Sequence, residues 1–154
     1  MSGPLVIAEL GAETAAEDVE ALAALWERAG LTRPWNDPKA DIRFALAAPS
    51  SAILVGRAPG ESAIVASAMV GHDGHRGTVY YVATDPACRG RGYGRAIMQA
   101  AEAWLAERGL WKLNLLIRGD NEAAKGFYEA IGFQAQDRIC MQKEIGSSKG
   151  GGTR

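Results

Sequence analysis

Seven consecutive residues, Arg89-Gly90-Arg91-Gly92-Tyr93-Gly94-Arg95, combine three guanidinium groups with three glycines. They follow an apolar run at 79–84 and precede a helical stripe of Ile97, Met98, Ala101, Trp104 and Leu105. Strand, glycine loop and helix in that order aim backbone N–H groups and a helix N-terminus at one point, an arrangement suited to an anion and above all to phosphate. The glycines let a ligand approach the main chain, and the arginines add charge. Spacing excludes two phosphate-binding patterns. A triphosphatase loop needs GxxxxGK followed by Ser or Thr, which is absent here; a dinucleotide fingerprint needs GxGxxG, and counting from Gly90 puts Arg95 where the third glycine belongs. ATP and NAD are therefore not expected.

The other residues with reactive side chains are sparser. His72 and His75 share the turn Gly71-His72-Asp73-Gly74-His75-Arg76-Gly77, where no third ligand is evident, so no metal is expected. Cys88 and Cys140 have neither CxxC nor Cys/His spacing and read as reduced thiols. Cys88 adjoins the glycine loop, where filling the loop is a simpler role than relaying an acyl group.

These residues need a scaffold, and hydrophobic periodicity supplies one. A short strand is expected at 5–10. Thr14 to Glu17 has capping-box spacing before a helix with Val19, Leu22, Ala23 and Trp26 inward, stopped by Gly30. Asp37 and Pro38 start a second helix that ends before Pro49. Strands at 52–56, 64–70 and 78–84 follow, the last two joined by the histidine turn. After the glycine loop and its helix come a strand at 112–118, a helix with Ala124, Phe127, Tyr128 and Ile131 inward, and two closing strands at 133–137 and 139–144. The order βααβββαβαββ predicts an α/β (α+β) fold: one mixed sheet of about seven strands with helices on both faces. A single domain should occupy residues 1–145, with 146–154, GSSKGGGTR, as a flexible tail that has nothing apolar to bury.

Composition sets the outer limits. A chain of 154 residues that is 47% hydrophobic suits one core. A net charge of −1 lacks the basic footprint of a nucleic-acid binder. No apolar run is long enough to span a bilayer and the first ten residues do not read as a leader, so neither membrane insertion nor secretion is expected, and a cytoplasmic location is.

Arg89-x-x-Gly92-x-Gly94 matches the Q/R-x-x-G-x-G/A signature of the GCN5-related N-acetyltransferases (GNAT), and Asn121-x-x-Ala124-x-x-Phe127-Tyr128-x-x-x-Gly132-Phe133 resembles that family's second motif. The resemblance covers essentially residues 4–145. The stretch Pro34-Trp35-Asn36-Asp37-Pro38 and the histidine turn look like the small bacterial YpeA-type members. The resemblance implies a mostly antiparallel sheet in which two neighbouring parallel strands splay apart to hold acetyl-CoA. It further implies that the backbone of Val82, Ala83 and Thr84 pairs with the pantetheine arm, and that Arg89, Gly90, Arg91, Gly92, Tyr93, Gly94 and Arg95 surround the pyrophosphate. Asn121 would touch the cosubstrate, and Tyr128 would face the thioester sulfur as general acid.

The implied reaction moves an acetyl group to a primary amine, either a peptide α-amine or a small molecule. A tyrosine, with an ordinary pKa of about 10, is a protonated donor at neutral pH for the departing thiolate. A general base is not evident, because residues 79–84 contain no carboxylate. Water ordered by Tyr80 or Tyr81, or the carboxylate of Asp37 or Asp73, are the available substitutes. Trp35, Tyr80 and Arg118, with Arg33 and His72 beside them, are the acceptor-side candidates. A catalytically idle acyl-CoA sensor, in which Tyr128 only packs, is the competing reading. An open edge strand and the family's habit are compatible with a homodimer.

Overall fold

The computed structural model describes residues 3–146. Five strands form one sheet in sequence order: β1 (Val6–Glu9), β2 (Ser51–Arg57), β3 (Ala66–His72), β4 (Gly77–Thr84) and β5 (Leu113–Asn114). The first four run antiparallel, and β5 joins β4 in parallel. Helices α1 (Ala16–Arg28) and α2 (Pro38–Ala47) cover one face; α3 (Tyr93–Glu107) covers the other, and α4 (Glu122–Ala130) follows β5.

Burial on both faces explains why β2 is apolar from Ala52 to Val55. Ala52 and Leu54 point into the layer built with Ile97, Met98, Ala101 and Leu105 of α3, while Ile53 and Val55 point into the layer built with Leu22, Leu25 and Trp26 of α1 and Ile42 of α2. Trp26, Ile53, Ile97 and Met98 are fully buried. Burying such a side chain contributes about 1.5–3 kcal/mol, so these two layers hold the sheet rigid beneath the loops.

Local chemistry sets the element boundaries, in places differently from expectation. Asp37 caps α2 as its spacing predicts, accepting the Ala40 N–H at 3.2 Å, with Pro38 in the first turn. The capping box of α1 does not form: the N-cap is Ala15, and the Thr14 hydroxyl instead reaches Asp18 Oδ2 at 3.5 Å. The third strand extends to His72 because the Asp73 carboxylate accepts both the His75 and Arg76 N–H groups at 2.8 Å, tightening the turn to four residues.

The largest correction is at the C-terminal end, where five strands stand in place of seven. The strand expected at 112–118 is laddered only at Leu113 and Asn114, after which the chain leaves β4. Beyond α4, residues 134–146 are exposed and join no ladder among the described residues. Alternation gives a segment strand character, but a strand forms only against a partner edge, and here none is reached. Apart from Gly146, the expected tail lies outside the described residues.

Candidate functional site

The glycine loop carries positive backbone angles where side chains would be strained. Gly90 and Gly92 have φ of 80° and 78°, and Gly92 is the N-cap of α3. Having no side chain, Gly92 caps nothing, and no acidic residue occupies the first turn. The opening amides of a 15-residue helix therefore point out of its N-terminus with a positive end-charge and no internal acceptor. Gly94 is small for a different reason: a methyl there would lie 3.1 Å from Phe127 Cζ of α4.

A cleft of about 520 Å³ opens at this helix start. Arg89, Gly90, Gly92, Tyr93, Gly94 and Arg95 line one end, Val82 and Thr84 of β4 form a wall, and Asn121, Ala124, Phe127 and Tyr128 face them from α4. Two side chains of the predicted set turn elsewhere. The Arg91 guanidinium approaches Cys88 Sγ at 3.8 Å, and the Ala83 side chain is buried in the α1 layer. Tyr93 is buried, and its Oη has no hydrogen-bond partner among the described residues. Bare helix amides beside arginines fit a polyanionic ligand.

The β4 wall presents backbone as well as side chains. The Asp85 N–H bonds to the Val65 carbonyl at 2.8 Å, and Thr84 lies opposite Ala66. Because hydrogen-bonded and non-bonded pairs alternate along an antiparallel ladder, the N–H and C=O of Thr84 point away from β3, toward the edge that β5 has left. That edge is available to an extended ligand arm.

Asp85 also anchors the loop to α1. Its carboxylate accepts the Ala87 N–H at 3.0 Å and pairs with Arg28 at 2.9 Å, and these bonds hold its pKa below the usual carboxylate range. With the folded pKa depressed, the stabilisation is complete above the unfolded value of about 3.9 and fades as pH falls through the lower folded one. Asp85→Asn is accordingly expected to lower the melting temperature at pH 7, with the difference from wild type narrowing on acidification; a pH-independent difference would assign the effect to packing.

On α4, Asn121 caps the helix by accepting the Ala124 N–H at 3.0 Å, so a cleft residue also fixes the helix that forms the wall. The Tyr128 ring meets Phe127 and Phe133 edge-to-face at 5.0 and 5.5 Å. Burial raises the Tyr128 pKa above its ordinary value.

One feature of β4 escaped the sequence reading. Between Met69↔Tyr80 and Ser67↔Ala83 the strand carries one extra residue, a bulge at which Tyr81 has φ of 51°. A bulky side chain with that φ is strained by about 1–3 kcal/mol unless its surroundings hold it. Here they do. Trp26 Nε1–H donates to Ser67 Oγ at 2.9 Å, Ser67 Oγ–H donates to the Tyr81 carbonyl at 2.9 Å, the Trp26 and Tyr81 rings stack at 3.7 Å, and Tyr81 Oη–H donates to Asp41 at 2.8 Å. Burial, reinforced by the Asp41 carboxylate, pushes the Tyr81 pKa up strongly, so the hydroxyl stays neutral with its proton engaged by Asp41. The signal was present in the sequence: Ser67 is a lone polar residue within a buried run, and it is fully buried.

A second cavity of about 510 Å³ lies beside the point where β4 and β5 part, with Met69, Thr78, Tyr80, Asn114 and Leu116 toward the divergence and His72, Asp73 and Arg76 on the turn side. Tyr80 and His72 are thus the acceptor-side candidates that reach a cavity. Trp35 and Arg118 are exposed and line neither. The candidate bases are both engaged: Asp37 caps α2, and hydrogen bonds to the Arg76 and His75 amides hold the Asp73 pKa below the usual range. Among the described residues no group of three or more His, Cys, Asp or Glu could hold a metal, and no helix is long and apolar enough to cross a membrane.

A strand that leaves its parallel neighbour beside an amide-rich glycine loop is the arrangement that the resemblance to the GNAT family implies. The sequence profile described as Acetyltransferase (GNAT) family matches residues 18–133, and the chain belongs to that family. An acetyltransferase of Yersinia enterocolitica is 43% identical over 128 residues, covering 83% of this chain and 89% of its own. Among solved structures, an aminoglycoside N-acetyltransferase in complex with CoA superposes with a TM-score of 0.75 at 16% identity, covering 92% of this chain and 95% of its own. A ribosomal-protein-alanine N-acetyltransferase of Brucella melitensis superposes with a TM-score of 0.69 at 23% identity, covering 93% and 100%.

Proposed function

We propose that this chain moves an acetyl group from acetyl-CoA to a primary amine, a peptide α-amine or a small-molecule amine, by direct attack in the cleft between β4 and α4. The observation that carries the reading is the open backbone edge at Thr84, facing Tyr128 across a cleft that ends on the glycine loop. The loop amides and the guanidiniums of Arg89 and Arg95 bind the pyrophosphate, and the β4 edge aligns the pantetheine arm. The amine enters from the second cavity, past Tyr80. Its nitrogen bonds to the thioester carbonyl carbon, a β4 amide stabilises the oxyanion, the carbon–sulfur bond breaks, and Tyr128 Oη–H gives its proton to the leaving sulfur. The amine's own proton leaves through water, and the phenolate recovers one from the same source.

Because the two carboxylates considered as bases, Asp37 and Asp73, are both engaged, an acceptor that is already partly neutral is favoured. An α-amine with a pKa of about 8 is partly neutral at pH 7.5, whereas a lysine side chain near 10.4 is not. The amine acceptors named for the two structural neighbours, an aminoglycoside and a protein alanine, belong to this broad class. Calorimetry with acetyl-CoA followed by a thiol-release panel of α-amine peptides, lysine peptides and aminoglycosides tests the reading. Release should be fastest with an acceptor whose amine is partly neutral. Binding with no release from any amine would leave the chain as an acyl-CoA sensor, and preferential acetylation of lysine would require a base that has been missed.

A further inference from the structure

The turn-side rim of the second cavity carries positive charge without a counter-ion. Arg76 lines that cavity with its guanidinium 5.3 Å from the centre of the Trp111 ring, and the Lys112 ammonium lies 4.8 Å from the same ring, which is 73% exposed. Neither cation forms an ion pair among the described residues, and the Arg76 guanidinium donates to the His75 carbonyl at 3.2 Å. Asp73, the one carboxylate among the residues lining the cavity, has its Oδ1 engaged by the His75 and Arg76 amides. A bond of 2.9 Å from the Gly77 N–H to the Lys112 carbonyl ties the two backbones together, so the cations are held side by side. We propose that this pair binds an acidic side chain of the acceptor, and that the acceptor is a polypeptide with Asp or Glu several residues after its α-amine. The inference rests on the acetyl-transfer reading above.

Charge gives the partner its sign, and distance gives it its length. Two cations against one ring repel each other, and a carboxylate between them replaces that repulsion with two attractions. The amine reacts at the β4 edge, near Val82. A strand rises about 3.3 Å per residue, so Arg76, just before the start of β4, stands roughly 20 Å away along it. A small-molecule amine held at the thioester does not span that distance, whereas an extended peptide covers it with about six residues. Along the way Tyr80 and Asn114 line the cavity and offer side-chain hydrogen bonds to a peptide backbone. A nucleic acid also suits cations beside an aromatic ring, but its affinity comes from neutralising many phosphates, and this rim supplies two cations. An acidic polypeptide fits both the charge and the reach.

The test titrates the full chain, with CoA bound, against peptides labelled with a fluorophore at the C-terminus. They share an N-terminal alanine and carry aspartate, serine or lysine at about the fifth to seventh positions. The aspartate peptide should bind about 10-fold more tightly than the serine peptide, and the lysine peptide should bind most weakly. Arg76→Glu combined with Lys112→Glu should invert that order, an outcome that a folding defect does not produce. With acetyl-CoA in place of CoA, KM for thiol release should follow the same order while kcat changes little. Equal affinity for all the peptides, or an unchanged order in the double variant, overturns the proposal. Displacement of the aspartate peptide by oligouridylate more readily than by its own unlabelled form also overturns it, and assigns the rim to nucleic acid. Binding is read without turnover, which separates the two readings. Charge-ordered binding with no thiol release would keep the acidic polypeptide as ligand and remove the acetyl-transfer reading, whereas thiol release blind to peptide charge would keep acetyl transfer and remove the acidic docking.

Discussion

Tyr128→Phe should lower acetyl-transfer turnover by about 10²-fold or more while leaving acetyl-CoA affinity within a few-fold. The substitution removes one oxygen from a ring whose packing is otherwise preserved. The edge-to-face contacts with Phe127 and Phe133 involve ring carbons that phenylalanine retains. What is lost is the only group that the proposed mechanism uses to protonate the leaving sulfur, so the deficit should appear in kcat and not in the dissociation constant measured by calorimetry. The pH profile adds a second discriminator. Because burial raises the Tyr128 pKa above its usual value of about 10, the donor stays protonated throughout the working range. The wild-type rate should rise with pH as the amine deprotonates, with no alkaline decline below about pH 10. In the phenylalanine variant the amine limb should persist at a lower plateau. Equal turnover in the two proteins would reduce Tyr128 to a packing residue.

The parts of the molecule that were legible in the sequence are those set by local chemistry. Asp37 followed by Pro38 announces α2, the stripe from Ile97 to Leu105 announces α3, and glycines at 90 and 92 announce positive φ, because each signal is complete within a few residues. The parts that were not legible depend on which strand meets which. Leu113 to Ile117 alternates as a strand should, yet only its first two residues are laddered, because pairing depends on the distance to β4 and not on the residues themselves. The exposed segment at 134–146 shows the same limit more sharply: it alternates as a strand should, yet it joins no ladder among the described residues. At the site, the glycine loop, Asn121 and Tyr128 converge as their motifs imply, whereas Trp35 and Arg118, placed by type alone, stay outside both cavities. The bulge went unread because a chain of contacts between residues 26, 67 and 81 leaves no local periodicity.

That bulge gives the largest expected stability effect. Ser67 donates to the Tyr81 carbonyl while accepting from Trp26 Nε1–H, both at 2.9 Å, at a position with no solvent exposure. Ser67→Ala leaves a buried donor and a buried acceptor without partners. Each such group costs about 1–3 kcal/mol, giving roughly 2–6 kcal/mol together. For a chain of this size that lowers the melting temperature by about 10 °C. The Tyr81 ring stays stacked on Trp26 and bonded to Asp41, so the side chain is held while its carbonyl is released. The strained φ then relaxes at the backbone, next to Val82 and the open edge, so turnover should fall by more than a uniform loss of folded protein explains. Tyr81→Phe provides the contrast. It removes only the hydroxyl bond to Asp41, keeps the stack and the Ser67 bond, and should cost about 1 kcal/mol with little change in turnover. Thermal melts and thiol-release kinetics at a temperature where both variants are folded separate the two. A Ser67→Ala protein melting within about 2 °C of wild type would show that Trp26 and the Tyr81 carbonyl find other partners, and that the bulge is held by stacking alone.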